Sequence, residues 1–152
     1  MNDEAPSHST TNLVDVLDHV VTEFDVERIA RTDEIDGAPP CVVAGTFDAW
    51  ARALRAIIGG PVLLSPRDPP VWLHLVATRR EVVLSVRDET CALSESELEG
   101  LYDTPAFEPV VAAVEAAGGA FHVETATAFG GRLVRVVLPL AHRARVDHSS
   151  AA

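Results

Sequence analysis

The stretch from Glu81 to Leu138 constrains the fold more than any other part of this chain, because it sets a strand, a sharp exit, two helical runs and a closing hairpin in one fixed order. Its first eight residues, EVVLSVRD (81–88), alternate: Val82, Leu84 and Val86 fall on one face, and Val83, Ser85 and Arg87 on the other. A two-residue period of this kind predicts a half-buried strand. Asp88 stands where that strand ends, so a carboxylate marks the exit from the sheet.

Beyond Asp88, Ser94 and Glu97 have the spacing of a capping box and predict a short helix. A second helix is predicted from about Phe107 to Ala117, through Val110, Val111 and Val114, stopping at Gly118-Gly119. AFHVETAT (120–127) then pairs with RLVRVVLP (132–139) through a turn at Phe129, Gly130 and Gly131. Upstream, Leu13, Val14, Leu17, Val20, Val21 and Phe24 recur at helical spacing and predict an amphipathic helix from Asn12 to Phe24. Val26 to Arg31 alternates weakly as a strand, DEIDGAPP (33–40) is turn chemistry, and Cys41 to Ala44 reads as a second short strand.

Thr46 can cap a helix starting at Phe47, with Trp50, Leu54, Ile57 and Ile58 on its buried face and Gly59-Gly60 at its end. The four prolines of PVLLSPRDPP (61–70) predict an extended surface segment. Val71 to Ala77 alternates again and reaches the strand of Asp88 through Thr78, Arg79 and Arg80, a hairpin-length link. Strands that arrive as hairpins between helices predict an α+β fold: a two-layer sandwich with a mixed, mostly antiparallel sheet and helices on one face. Residues 1–11 are expected to be a disordered lead-in, 12–140 a single domain, and 141–152 a flexible tail.

Charge narrows the partners. Twenty-three acidic residues face 12 basic ones, every basic residue is arginine, and the net charge is −11. Nucleic acids and anionic membranes are polyanions that need a clustered basic surface, so neither is expected as a partner. The polar, acidic start MNDEAPSHSTTN has no apolar heart, and no apolar run reaches the roughly 18 residues of a membrane span. A soluble cytoplasmic protein is expected. Cys41 and Cys91 are isolated and read as core-filling residues, with no metal site in prospect.

The order of elements resembles the ATP-binding domain of sensor histidine kinases, the GHKL ATPases of Bergerat fold. The resemblance rests on VVLSVRDE (82–89), LSESELEGLYD (93–103) and VVAAVEAAGGAFHVETATAFGGRLVRVVLPL (110–140), and it spans about Leu13 to Leu138. It implies ATP and magnesium as the family's ligands and an aspartate that accepts a hydrogen bond from the adenine amino group, a role that falls on Asp88. The family's magnesium-holding asparagine box falls on Ala56 and Gly60, neither of which has an oxygen ligand to offer a hard cation. The glycines after the aspartate are replaced by Glu89, Thr90, Cys91 and Ala92, and the phosphate-cradling glycine turn by Thr104, Pro105, Ala106 and Phe107.

The expectation is therefore a degenerate domain of this kind. It has no catalytic residue, holds neither ATP nor metal, and acts as a regulatory or protein-binding module for another signalling protein. Two alternatives differ in class: an ATP-binding protein with an atypical site centred on Asp88, and a phosphotransfer protein using His19, which lies opposite the first helix's apolar stripe. His74 and His122 alternate out of the core and have no convergent metal partners. Trp72 is out of phase with Val71, Leu73 and Leu75; beside Val76 and Val83 it marks an apolar sheet face suited to a homodimer.

Overall fold

A computed structural model describes residues 9–35, 37, 39–64, 70–88, 105–124 and 131–141. Its sheet grows from the alternating segments: β2 (Ile29–Glu34), β4 (Val71–Ala77), β5 (Glu81–Asp88), β6 (Ala120–Glu124) and β7 (Arg132–Pro139) stand in the order β2-β4-β5-β7-β6. β2 runs parallel to β4, and every other neighbouring pair is antiparallel. The Thr78–Arg80 link closes the β4–β5 hairpin, with the Thr78 amide donating to the Glu81 carbonyl at 2.9 Å.

Val71, Leu73 and Leu75 of β4, Val82, Leu84 and Val86 of β5, and Val134, Val136 and Leu138 of β7 turn one face of this sheet into the floor of the core. Three helices cover that face: α1 (Leu13–Val21), α2 (Phe47–Leu64) and α3 (Glu108–Ala116). α1 contributes Leu13, Val16, Leu17 and Val20, and α2 contributes Trp50, Leu54, Ile57 and Ile58, all fully buried. The expected two-layer α+β sandwich is what forms. A small antiparallel pair, β1 (Thr10–Asn12) with β3 (Val42–Ala44), stands beside it.

Local chemistry accounts for the helix starts. The Asn12 side chain accepts from the Val14 amide at 3.0 Å and caps α1, and the Thr46 hydroxyl accepts from the Ala49 amide at 3.1 Å and caps α2. The Trp50 indole donates to the Ala44 carbonyl at 2.8 Å and so ties α2 to β3. Its ring passes so close to the chain that a Cβ on Gly45 would lie 2.7 Å from the indole nitrogen, and Gly45 also has φ of 119°. Only glycine meets both demands.

Several elements depart from expectation. The lead-in loses its last residues, because Thr10 and Thr11 pair with Ala44 and Val43 and give β3 a partner. α1 ends at Val21, its last turn tightened by bonds from the Glu23 and Phe24 amides to the Val20 and Val21 carbonyls. Val26–Arg28 is a 3-10 turn with Asp25 as its cap, and the strand begins only at Ile29. α2 does not stop at Gly59-Gly60. It continues to Leu64, because Val62 is buried and the Arg28 guanidinium holds the Val62 carbonyl, so a glycine pair that permits a stop does not impose one. Pro61 to Leu64 are thus helical, and residues 65–69 lie outside the described residues. The short helix expected from Ser94 also lies outside them.

Candidate functional site

Asp88 ends β5 in phase with Val82, Leu84 and Val86, so its carboxylate belongs to the core face of the sheet, where it is 3% exposed. Across the ladder its partner is Arg132, the first residue of β7, in phase with Val134, Val136 and Leu138 and 2% exposed. Antiparallel partners have Cα atoms about 4.5–5.5 Å apart and side chains on the same face. These two are the only buried charged residues among the described residues. Asp88 is not free, since it makes an interaction of its own. The Arg132 Nε has no hydrogen-bond partner among the described residues, so the two buried charges share a face across the ladder without a bond from that nitrogen.

The other positions named from sequence come from three separate elements. Ala56 lies in α2, partly buried and packed against the core, and Gly60 lies in the same helix. Pro105 opens the 3-10 turn Pro105–Phe107 ahead of α3 and is exposed, while Phe107 is buried. Glu89, Thr90, Cys91, Ala92 and Thr104 lie outside the described residues. Between α2 and α3 runs a mainly apolar groove of about 410 Å³, bordered by Ala49, Trp50, Arg52, Pro105, Pro109 and Ala112. Neither Asp88 nor Ala56 borders it.

His19 is exposed on α1, its ring edge-on to Phe47 at 5.5 Å and its Nε2 3.7 Å from the Glu23 carboxylate. Glu23 in turn accepts two hydrogen bonds from Arg55, at 2.8 and 2.9 Å. The Arg55 hydrogen bond holds the Glu23 carboxyl below the usual carboxylate range. The neighbour of His19 is thus an anion, which disfavours placing a phosphoryl group on the ring. His74 Nε2 stands 3.4 Å from Glu34, His122 is exposed on β6, and Cys41 is buried, its thiol pushed up by desolvation and by the charge of Asp33. No group of three or more His, Cys, Asp or Glu side chains is placed to hold a metal ion among the described residues. Nor is any of their helices long and apolar enough to cross a membrane.

Arg132 is the residue that sequence reasoning missed. Its signal was present in the alternation, for a strand that buries Val134, Val136 and Leu138 must point Arg132 the same way.

Compared with solved structures, the chain superposes on a mycobacterial sensor histidine kinase, MprB, with a TM-score of 0.71 over 87% of this chain and 97% of that one, at 19% identity. The chain has the fold of a histidine-kinase ATP-binding domain. The ATP-binding domain of PrrB from Mycobacterium tuberculosis matches at 0.64 with 20% identity, over 88% of this chain and 96% of that one. The histidine kinase domain of the E. coli osmosensor EnvZ matches at 0.68 with 15% identity, over 87% and 88%. No protein-family model matches the sequence, and neither does any curated protein. At such identities the histidine-kinase ATPase fold is common to these chains, while the site residues must be judged one by one.

Proposed function

We propose that this chain is a degenerate histidine-kinase-type ATPase domain, catalytically inactive and without a working nucleotide site, that serves as a regulatory, protein-binding module in cytoplasmic signalling. One observation carries the reading: the carboxylate in the adenine-acceptor position, Asp88, is enclosed on the core face with Arg132 buried directly across from it. An acceptor for an adenine amino group needs open space beside it and a lone pair not already committed. Here the carboxylate is enclosed and already makes an interaction of its own, with a second buried charge, Arg132, across the ladder from it.

The residues that would hold magnesium do not fit the ion. Ala56 offers a methyl group packed against the core, and Gly60 offers no side chain, so neither supplies the oxygen a hard cation requires. Pro105 adds to this by removing an amide from the turn that leads into α3. Phosphoryl transfer is mainly positioning and charge neutralisation, and a chain lacking these groups has little with which to perform it. What remains is a scaffold whose surfaces are available to a protein partner.

Calorimetric titration with ATP, with and without magnesium, tests the reading. The expected outcome is no saturable binding up to about 1 mM. Saturable micromolar binding that disappears in Asp88→Ala, in protein shown to be folded by circular dichroism, would overturn it in favour of an atypical ATP site.

A further inference from the structure

The groove between α2 and α3 is open at its rim, because Ala49, Ala112 and Ala116, which border it, are exposed. Its floor is fixed, since the Trp50 ring is fully buried and its indole donates to the Ala44 carbonyl at 2.8 Å. A small molecule lying in so open a groove would keep much of its surface in water, whereas bound ligands of that kind bury about 70–90% of theirs. A helix can lay a row of apolar side chains into such a groove, and the small alanines let its backbone come close. We propose that the α2–α3 groove docks a basic amphipathic helix of a partner protein.

Charge selects that occupant. Glu108 borders the groove, and Glu115, seven residues on, lies on the same side of α3 about 10 Å further along. Both are exposed, and neither forms an ion pair among the described residues. Glu115 also stands in the last turn of α3, at the negative end of the helix dipole, where a carboxylate weakens the helix and a cation strengthens it. No residue of α3 is basic, so the helix does not answer these charges itself. On the opposite wall Arg52 is likewise without an ion pair among the described residues, although Asp48 precedes it by four positions on α2. A helix that fits carries two basic residues about seven apart on the flank that meets α3, and an acidic residue on the flank that meets Arg52. The net charge of −11 draws such a basic segment in and turns acidic surfaces away, a second copy of this chain among them.

Length sets the strength. From Pro105 to Ala116 the α3 wall runs for about three turns, so contact is confined to about 11 residues of the partner helix. An interface this short belongs to the weak, transient class. Its expected Kd is about 10–100 µM. Because the ion pairs at its rim are exposed, salt that shortens the screening length to about 3–8 Å weakens the complex. This docking role rests on the reading of the chain as a protein-binding module and is indifferent to the state of the nucleotide site.

A phage-displayed library of helical peptides about 15 residues long, randomised along one face, is the probe. It is selected on the immobilised full chain, and the recovered peptides are titrated by fluorescence anisotropy. They are expected to carry apolar residues at i, i+3, i+4 and i+7 beside a pair of Lys or Arg about seven positions apart. Ala112→Trp, which fills the groove, is expected to raise Kd at least about tenfold, and so is Glu108→Lys combined with Glu115→Lys, each in protein shown to be folded by circular dichroism. Glu27→Lys combined with Glu81→Lys makes the same change in net charge away from the groove and leaves Kd unchanged. Peptides whose two basic residues are reversed to glutamate should bind the Glu108→Lys, Glu115→Lys chain again. A selection that yields no binding peptide overturns the proposal, and so do peptides that lack the apolar spacing or bind the groove variants as tightly as the wild type. Saturable ATP binding would overturn the inactive-domain reading and leave this result standing, so the two fail separately.

Discussion

Replacing Arg132 by methionine keeps the length and much of the volume of the side chain but deletes its charge, leaving the Asp88 carboxylate, 3% exposed, without the cation opposite it. Where two buried opposite charges facing each other across a ladder offset one another, removing one costs about 3–5 kcal/mol. That is a large share of the roughly 5–15 kcal/mol that holds a typical domain together. For a chain of this size it lowers Tm by roughly 6–20 °C. Asp88→Asn carries a similar penalty from the other side, since it leaves Arg132 enclosed. The informative measurement is the cycle, with urea unfolding of wild type, both single variants and the double variant. The double variant removes both charges at once, so its loss is expected to fall short of the summed single losses by about 1–3 kcal/mol. If the losses add to within about 0.5 kcal/mol, the two residues are energetically separate, and the expectation that Arg132 offsets the charge of Asp88 across the ladder is refuted.

Other expectations follow from single sites. A Cβ on Gly119 would collide with the Val137 carbonyl and sit 2.7 Å from Leu138 Cδ2, so Gly119→Ala should cost about 1–3 kcal/mol in urea unfolding, whereas Gly37→Ala, with nothing within 4 Å, should cost only the strain of its positive φ. Glu23 has its folded pKa depressed by Arg55, so its contribution is present above the unfolded pKa and is lost as pH falls through the folded one. Because the pair is exposed and screened, Glu23→Gln should cost only about 0.5 kcal/mol at neutral pH; chemical unfolding across the acid range should show that difference vanish on acidification. A phosphorylated receiver domain mixed with the chain should leave it unlabelled. Label that appears in wild type and is lost in His19→Ala would establish the phosphotransfer reading instead.

Much of the fold could be read from the chain because its alternation is clean. Val82, Leu84 and Val86 announce β5, Val71, Leu73 and Leu75 announce β4, and the three-residue link between them leaves little choice but a hairpin. Boundaries set by tertiary contact could not be read. The glycine pair at 59–60 looks like a stop until Arg28, from a segment distant in sequence, takes hold of the Val62 carbonyl and Val62 enters the core. Likewise Thr10 and Thr11 carry no apolar pattern, and they become a strand only because β3 offers them an edge. The candidate site was half legible. Asp88 is marked by its place at the end of β5, whereas Arg132 shows only through its phase with Val134, Val136 and Leu138 behind it.

The order of the sheet also bears on how the chain assembles. β4, β5, β7 and β6 meet as antiparallel neighbours, and the β4–β5 turn spans only Thr78–Arg80. β2 and β4 meet only after the crossover that includes α2 has been laid across the sheet, and β5 and β7 meet across a comparable stretch of chain; β2 differs in being an edge strand with no second ladder to hold it. Ordering so long a loop must precede any reward from the parallel ladder, and such non-local pairings are the slow steps of folding. The β4–β5 hairpin is thus the natural nucleus, and β2 the last strand to lock. By the same logic the amides of Ile29 to Glu34 should be the first of the sheet to exchange with solvent when the native state breathes.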